Sequence, residues 1–155
     1  MRRATKIIRS DAVEDSDVVG TVTLSYQERH RRRIKMHDDN GYELLLDLAE
    51  AAQIEDGDAL ALKDGGVIRV KAADEDVLDI HCATMAHAAR IAWHIGNRHT
   101  AVQVMDDGII RIVYDHVLEK MLAGLNTQIK RNKAAFSPER GAYSVPANPD
   151  SHSRS

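Results

Sequence analysis

Cysteine is almost missing from this chain: its 155 residues include one, Cys82. A single thiol excludes an internal disulfide framework and any cysteine-rich zinc module. Aromatic residues make up 4% of the chain (Tyr26, Tyr42, Trp93, Tyr114, Phe136 and Tyr143), too few and too scattered for a base-stacking platform. No stretch approaches the roughly 18 apolar residues of a membrane-spanning helix. The opening MRRATKIIRSDAVED lacks the apolar core of a secretory signal, so the expected address is the cytoplasm, with no membrane partner. A dominant charge is missing too. Residues 1–73 carry 12 Lys/Arg against 14 Asp/Glu, residues 74–155 carry 9 against 10, and the net charge is −3. Neither half is a basic arm, which argues against nucleic acid as a partner. Proline is confined to the last 18 residues, at Pro138, Pro146 and Pro149. From Ser137 onward large apolar residues are few, so residues 137–155 are expected to form a disordered tail that packs at Tyr143 at most.

What is present divides into two patterns. The first 73 residues read as short strands with turns between them: TKIIR, VVGTVTLS, RRRIKMH, YELLLDL, ALALK and VIRVKA. Asp39–Gly41 and Asp64–Gly66 are hairpin signals, because Asn and Gly tolerate positive φ. Residues 74–136 read differently. VLDIHCA is an apolar strand, and Thr84 is an N-cap for a helix through about Ile95, with Met85, Ala88, Ala89, Ala92 and Ile95 on one face and Gly96 as its stop. TAVQVMD and GIIRIVY follow as strands. Asp115 caps a second helix striped by Val117, Leu118, Met121, Leu122 and Leu125, and TQIKRNKAAF is a last strand. The order β-α-β-β-α-β is the ferredoxin-like split pattern. The expected fold class is therefore α+β: a small β-domain over 1–73, a ferredoxin-like domain over 74–136 and a tail.

Eight histidines are the main chemical lead. There is no HExxH, no structural-zinc spacing, no Gly-x-Ser-x-Gly elbow, no phosphate-cradling glycine loop and no dinucleotide fingerprint, which argues against an enzyme. His116 stands at the first turn of the second helix, where the dipole disfavours positive charge and so favours the neutral ring that binds metal. One imidazole is a poor site, but a two-fold dimer with this helix end near the axis would supply two. A second constellation is His81, Cys82, His87 and His94. Residues seven apart share a helix face, whereas adjacent strand residues point to opposite sides, so all four do not easily converge. The densest basic string is RHRRRIKMH (Arg29–His37). Its Arg31, Arg32, Arg33 and Lys35 are candidates for docking an acidic partner. The plainer reading is an edge strand protected by charge, and a rival function is a protein-interaction or RNA-binding module built on Arg29–Lys35.

Three motifs carry a resemblance. WHIGNRH (Trp93–His99) followed by TAVQV, YDHVLEKML (Tyr114–Leu122) and AAFSPERGAY (Ala134–Tyr143) resemble, in that order, segments of the urease accessory nickel metallochaperones, the UreE-like family. The resemblance implies a homodimer with a partner-docking β-domain and a nickel-binding ferredoxin-like domain. It implies delivery of nickel, as cargo, to apo-urease in an assembly with an accessory GTPase. It also implies that the key ligand is the His of Asp-His-Val, here His116, paired across the dimer, with Gly96, Asn97, Arg98 and His99 forming a structural turn. Zinc and copper suit the same imidazoles. Many members end in a histidine-rich tail. This one offers only His152, a possible extra ligand reaching over the His116 pair.

Overall fold

A computed structural model describes residues 1–140. The chain divides into two compact units, one over Met1–Ala73 and one from Asp74 onward. Among the described residues no helix is long and apolar enough to cross a membrane.

The first unit is one six-stranded mixed sheet built from β1 (Arg2–Ile8), β2 (Val18–Leu24), β3 (Arg33–His37), β4 (Glu43–Asp47), β5 (Ala59–Leu62) and β6 (Val67–Ala72). The strand order is β2-β6-β5-β1-β4-β3, with β1/β4 and β2/β6 parallel. Alternation does the sorting: Leu44 and Leu46, Val22 and Leu24, and Ile68 and Val70 point into one core with Ala4, Met36, Ile54 and Leu60. The two edge strands approach each other where the Asp39 amide donates to the Thr21 carbonyl at 2.8 Å, so the sheet curls toward closure.

The hairpins fall where the Gly signals put them. Gly41 takes φ +90° between β3 and β4, but the organiser of that turn is Asp38. Its carboxylate accepts from the Asn40 and Tyr42 amides, both at 2.9 Å, and from Arg2. Burial pushes the Asp38 carboxyl up, yet those donors outweigh it and hold it below the usual carboxylate range. Gly66 takes φ +79° before β6, and a Cβ there would lie 2.9 Å from Val19 Cγ1, so only glycine fits.

The second unit contains β7 (Asp74–His81), α1 (Met85–Asn97), β8 (Gln103–Val104), β9 (Ile110–Val113), α2 (His116–Ala123) and β10 (Gln128–Ala135). The four strands are antiparallel in the order β10-β7-β9-β8. Leu78, Ile80, Ile110 and Ile112 meet Ile91 and Ile95 of α1 and Leu118 and Leu122 of α2 in a single core, so both helices cover one sheet face. The fold is α+β with two sheets and few helices.

Several expectations are corrected by this packing. The buried line of α1 is Ala88, Ile91, Ala92 and Ile95. Met85, 89% exposed, and Ala89 lie outside it: the 3.6-residue period turns Ala89 away from Ile91, whereas Met85 shares the face of Ala92 but is the first residue of the helix. Val117 likewise leaves the α2 stripe. The strand expected over TAVQVMD shrinks to Gln103–Val104, since Thr100 is taken up by the end of α1. Residues 137–140, assigned to a loose tail, are held in place. Phe136 and Pro138 are buried, the Ser137 amide donates to Gln103 Oε1 at 3.0 Å, and the Glu139 amide donates to the Val102 carbonyl at 2.7 Å. The Glu139 carboxylate in turn accepts from the Val104 amide, so this segment covers the outer edge of β8. Tyr143 and His152 lie outside the described residues.

Candidate metal site

The start of α2 is fixed by its cap. Asp115 Oδ1 accepts from the amides of Val117 at 2.9 Å and Leu118 at 3.1 Å, which leaves His116 as the first helical residue, exposed to solvent. Tyr114, just before the cap, donates its amide to the Asp76 carbonyl at 2.8 Å. The Arg131 guanidinium sits 3.7 Å above the Tyr114 ring and also pairs with the Asp76 carboxylate. The entry to α2 is thus tied to β7 and β10.

The end of α1 differs from the turn the motif suggests. Gly96 and Asn97 are its last helical residues and Arg98 is the cap, so Gly96 does not stop the helix. The residue that turns the chain is His99, at φ +57°. Its amide donates to the Gly96 carbonyl at 3.0 Å, and the Thr100 amide reaches back to Ile95 at 3.5 Å, the paired bonds of a Schellman ending. A histidine therefore fills the left-handed position where glycine is usual. The Arg98 side chain reaches the other helix, its Nη1 3.9 Å from Met121 Sδ of α2.

Two contacts orient the helices. His87 Nε2, near the start of α1, bonds the Leu125 carbonyl beyond the end of α2 at 2.9 Å, while Arg98, past the end of α1, meets Met121. The helices run antiparallel, so the end of α1 with His99 and the start of α2 with His116 belong to the same end of the helical layer. Trp93, Val113 and Val117 are exposed by 63%, 41% and 51%; the first two precede His99 and His116, and Val117 follows His116.

The His81–His94 constellation stays apart. His81 and Cys82 line a cavity of about 340 Å³ with Ala83, Asn126, Thr127 and Gln128, and burial pushes the Cys82 thiol up, away from the thiolate that binds metal. His87 is committed to Leu125, and His94 meets the Trp93 ring edge-on at 5.1 Å. Among the described residues no three or more His, Cys, Asp or Glu side chains gather to hold an ion.

The basic string is not one surface. Arg29 is fully buried in a short 3-10 turn, so the Arg29–Lys35 face loses its first member. Arg31, Arg32, Arg33 and Lys35 are exposed, but Arg32 donates to the Leu48 carbonyl, Arg33 pairs with Asp47 and Lys35 with Glu43. His30 is bonded to Gln53 and His37 is exposed on β3.

The model of the UreE urease accessory protein N-terminal domain matches residues 4–73, and that of its C-terminal domain matches residues 75–155. The chain belongs to the UreE urease accessory protein family. It is 49% identical to the urease accessory protein UreE of Azorhizobium caulinodans over 92% of this chain and 68% of that protein. It is 44% identical to UreE of Brucella anthropi over 93% of this chain and 84% of the relative. UreE 1 of Brucella suis shares 44% over 93% and 88%. Both units of the chain therefore fall within UreE-family domains.

Proposed function

We propose that this chain carries nickel for urease maturation, as a cytoplasmic binding and transfer protein without catalysis. The observation that carries this reading is membership of a family whose members are named urease accessory proteins. The partners that follow from the resemblance are a second copy of the chain, the accessory GTPase and apo-urease. The β10-β7-β9-β8 order with two helices on one face supports a ferredoxin-like domain as the nickel-binding unit. The resemblance implies an ion shared by imidazoles of two copies across a two-fold axis, and the lack of any group of three or more donors among the described residues of one chain fits that reading. Exposed Trp93, Val113 and Val117 support contact there, since pairing would remove their apolar surface from water.

Two histidines at that end compete for the role. The resemblance implies His116. The helix dipole argues otherwise: a divalent cation at His116 faces the positive N-terminus of α2, whereas at His99 it faces the last carbonyls of α1, which favour it. His99 also holds a left-handed backbone that costs a non-glycine residue about 1 kcal/mol, and such strain persists where a side chain is needed. These two observations favour His99 as the second reading.

Nickel titration calorimetry on the full chain, His116→Ala and His99→Ala, with the oligomeric state followed in parallel, separates them. About one ion per pair of chains is expected, lost in the variant that removes the ligand while the dimer persists. Binding that survives both substitutions overturns the shared site. Absence of binding in the unsubstituted chain overturns the nickel role. His152→Ala weakens binding if the tail adds a ligand. Copper and zinc compete for the same donors, copper more tightly than nickel.

A further inference from the structure

We infer that the outer edge of β10 is a docking edge for an extended acidic segment of a partner protein, which adds to the second unit's sheet as a fifth strand. β10 closes one side of that sheet: it pairs with β7 and with no other strand among the described residues. The pairing with β7 runs unbroken from Gln128↔His81 to Ala135↔Asp74, without a bulge, and the strand holds no proline. Edges this long and regular are usually shortened, bent or covered, because their free amides and carbonyls recruit other strands. The opposite edge is covered in that way, by residues 137–139 along β8. Among the described residues of this unit no strand pairs with the outer edge of β10.

The backbone shows which groups face out. In an antiparallel pair every second residue turns both its amide and its carbonyl away from the partner strand. The Lys133 amide donates to its neighbour's side chain, Asn132 Oδ1, at 2.9 Å rather than to β7. That marks Ile129, Arg131 and Lys133 as the outward set. Asn132, whose side chain also bonds the Asp79 carboxylate, is a local stopper whose oxygen an incoming carbonyl replaces.

Charge selects the occupant. Lys130, Arg131 and Lys133 crowd the edge and are exposed. Arg131 pairs with Asp76, whose carboxylate also feels the Lys133 charge, while among the described residues neither lysine is within salt-bridge distance of a carboxylate. Two copies of this edge repel each other, so the cations exclude self-pairing while favouring a strand that carries carboxylates. A shallow groove of about 500 Å³ is lined by Asp76 of β7 and by Arg131, Asn132 and Lys133 of β10. None of this depends on the nickel site.

The test uses the full chain and a blocked peptide as long as β10 in which Glu and Val alternate. Lys133→Pro removes one outward amide without touching the pairing with β7, and Lys130→Glu with Lys133→Glu reverses the charge without altering the backbone. Anisotropy titration is expected to show salt-sensitive binding that weakens roughly tenfold or more in each variant. Hydrogen exchange is expected to slow at the Ile129 and Arg131 amides of the unsubstituted chain. Three results each overturn the docking edge: no binding up to about 1 mM peptide, equal binding by Lys133→Pro, or equal binding of a peptide with Lys in place of Glu.

Discussion

Arg29 directs its guanidinium toward the carbonyls of Leu24 at 3.3 Å and Ile54 at 3.5 Å, while the Ile54 amide donates back to the Arg29 carbonyl. It joins the end of β2 to the loop before β5. Arg29→Ala should cost about 3–5 kcal/mol, by lost packing and by carbonyls left without a donor, whereas Arg31→Ala should stay within about 0.5 kcal/mol. Urea midpoints of the two variants check this, and similar midpoints would contradict it. Nothing in RHRRR tells these arginines apart, since the difference lies in a loop some 25 residues later that closes over one of them. Asp79 and Arg111 were equally illegible as a pair. They meet through two bonds, at 2.7 and 3.0 Å, with both side chains about nine-tenths buried, and Arg111 also donates to the Ala135 carbonyl. The hydrogen-bonded Arg111 holds the Asp79 carboxyl below its usual range, against burial, which pushes it up. A carboxyl lowered on folding stabilises the fold above its unfolded value, near 3.8, and that contribution fades as pH falls through the lower folded value. Arg111→Met should therefore cost about 3 kcal/mol at neutral pH, and the gap between variant and unsubstituted chain should narrow on acidification. A gap that held constant below pH 4 would assign the loss to packing alone.

At the scale of elements, local signals served well where chemistry is short-range. Thr84 and Asp115 cap the two helices as their side chains dictate, and the two Gly-containing hairpins close β3–β4 and β5–β6. Failures came where an element's partner is remote in sequence. β8 starts late because the end of α1 takes up Thr100, its outer edge is covered by residues 137–139, and α1 runs past Gly96 because the stop is a left-handed histidine. His99→Gly turns this into a measurement. Removing the side chain from a left-handed position should raise stability by up to about 1 kcal/mol. If His99 is a ligand, the same substitution abolishes nickel binding, so stability rises as function falls. Thermal melts paired with nickel titration read both. Stability gained with nickel binding intact would make the turn purely structural and return the site to His116.

Each unit has a core of its own: Ala4 to Val70 surround the first, and Leu78 to Leu122 the second. Among the described residues each unit holds one sheet. Near residue 74 the hydrophobic periodicity switches from strands alone to strands alternating with helices. Which unit carries the metal was not readable from histidine count, since His30 and His37 lie in the first. Separate cores make the question experimental. Expressed separately, residues 1–73 and 74–155 should each fold, though near the size where a core offers little stability to spare. Nickel should then raise the melting midpoint of 74–155 alone, by about 2.7 kcal/mol of added stability at a hundredfold excess over Kd, and a chelator should reverse it. For the proposed ion shared between two copies, that shift should grow with protein concentration as dimers form, whereas a site within one chain would show no such dependence. Stabilisation of 1–73 by nickel would move the site to His30 and His37 and sink the assignment of metal handling to the second unit.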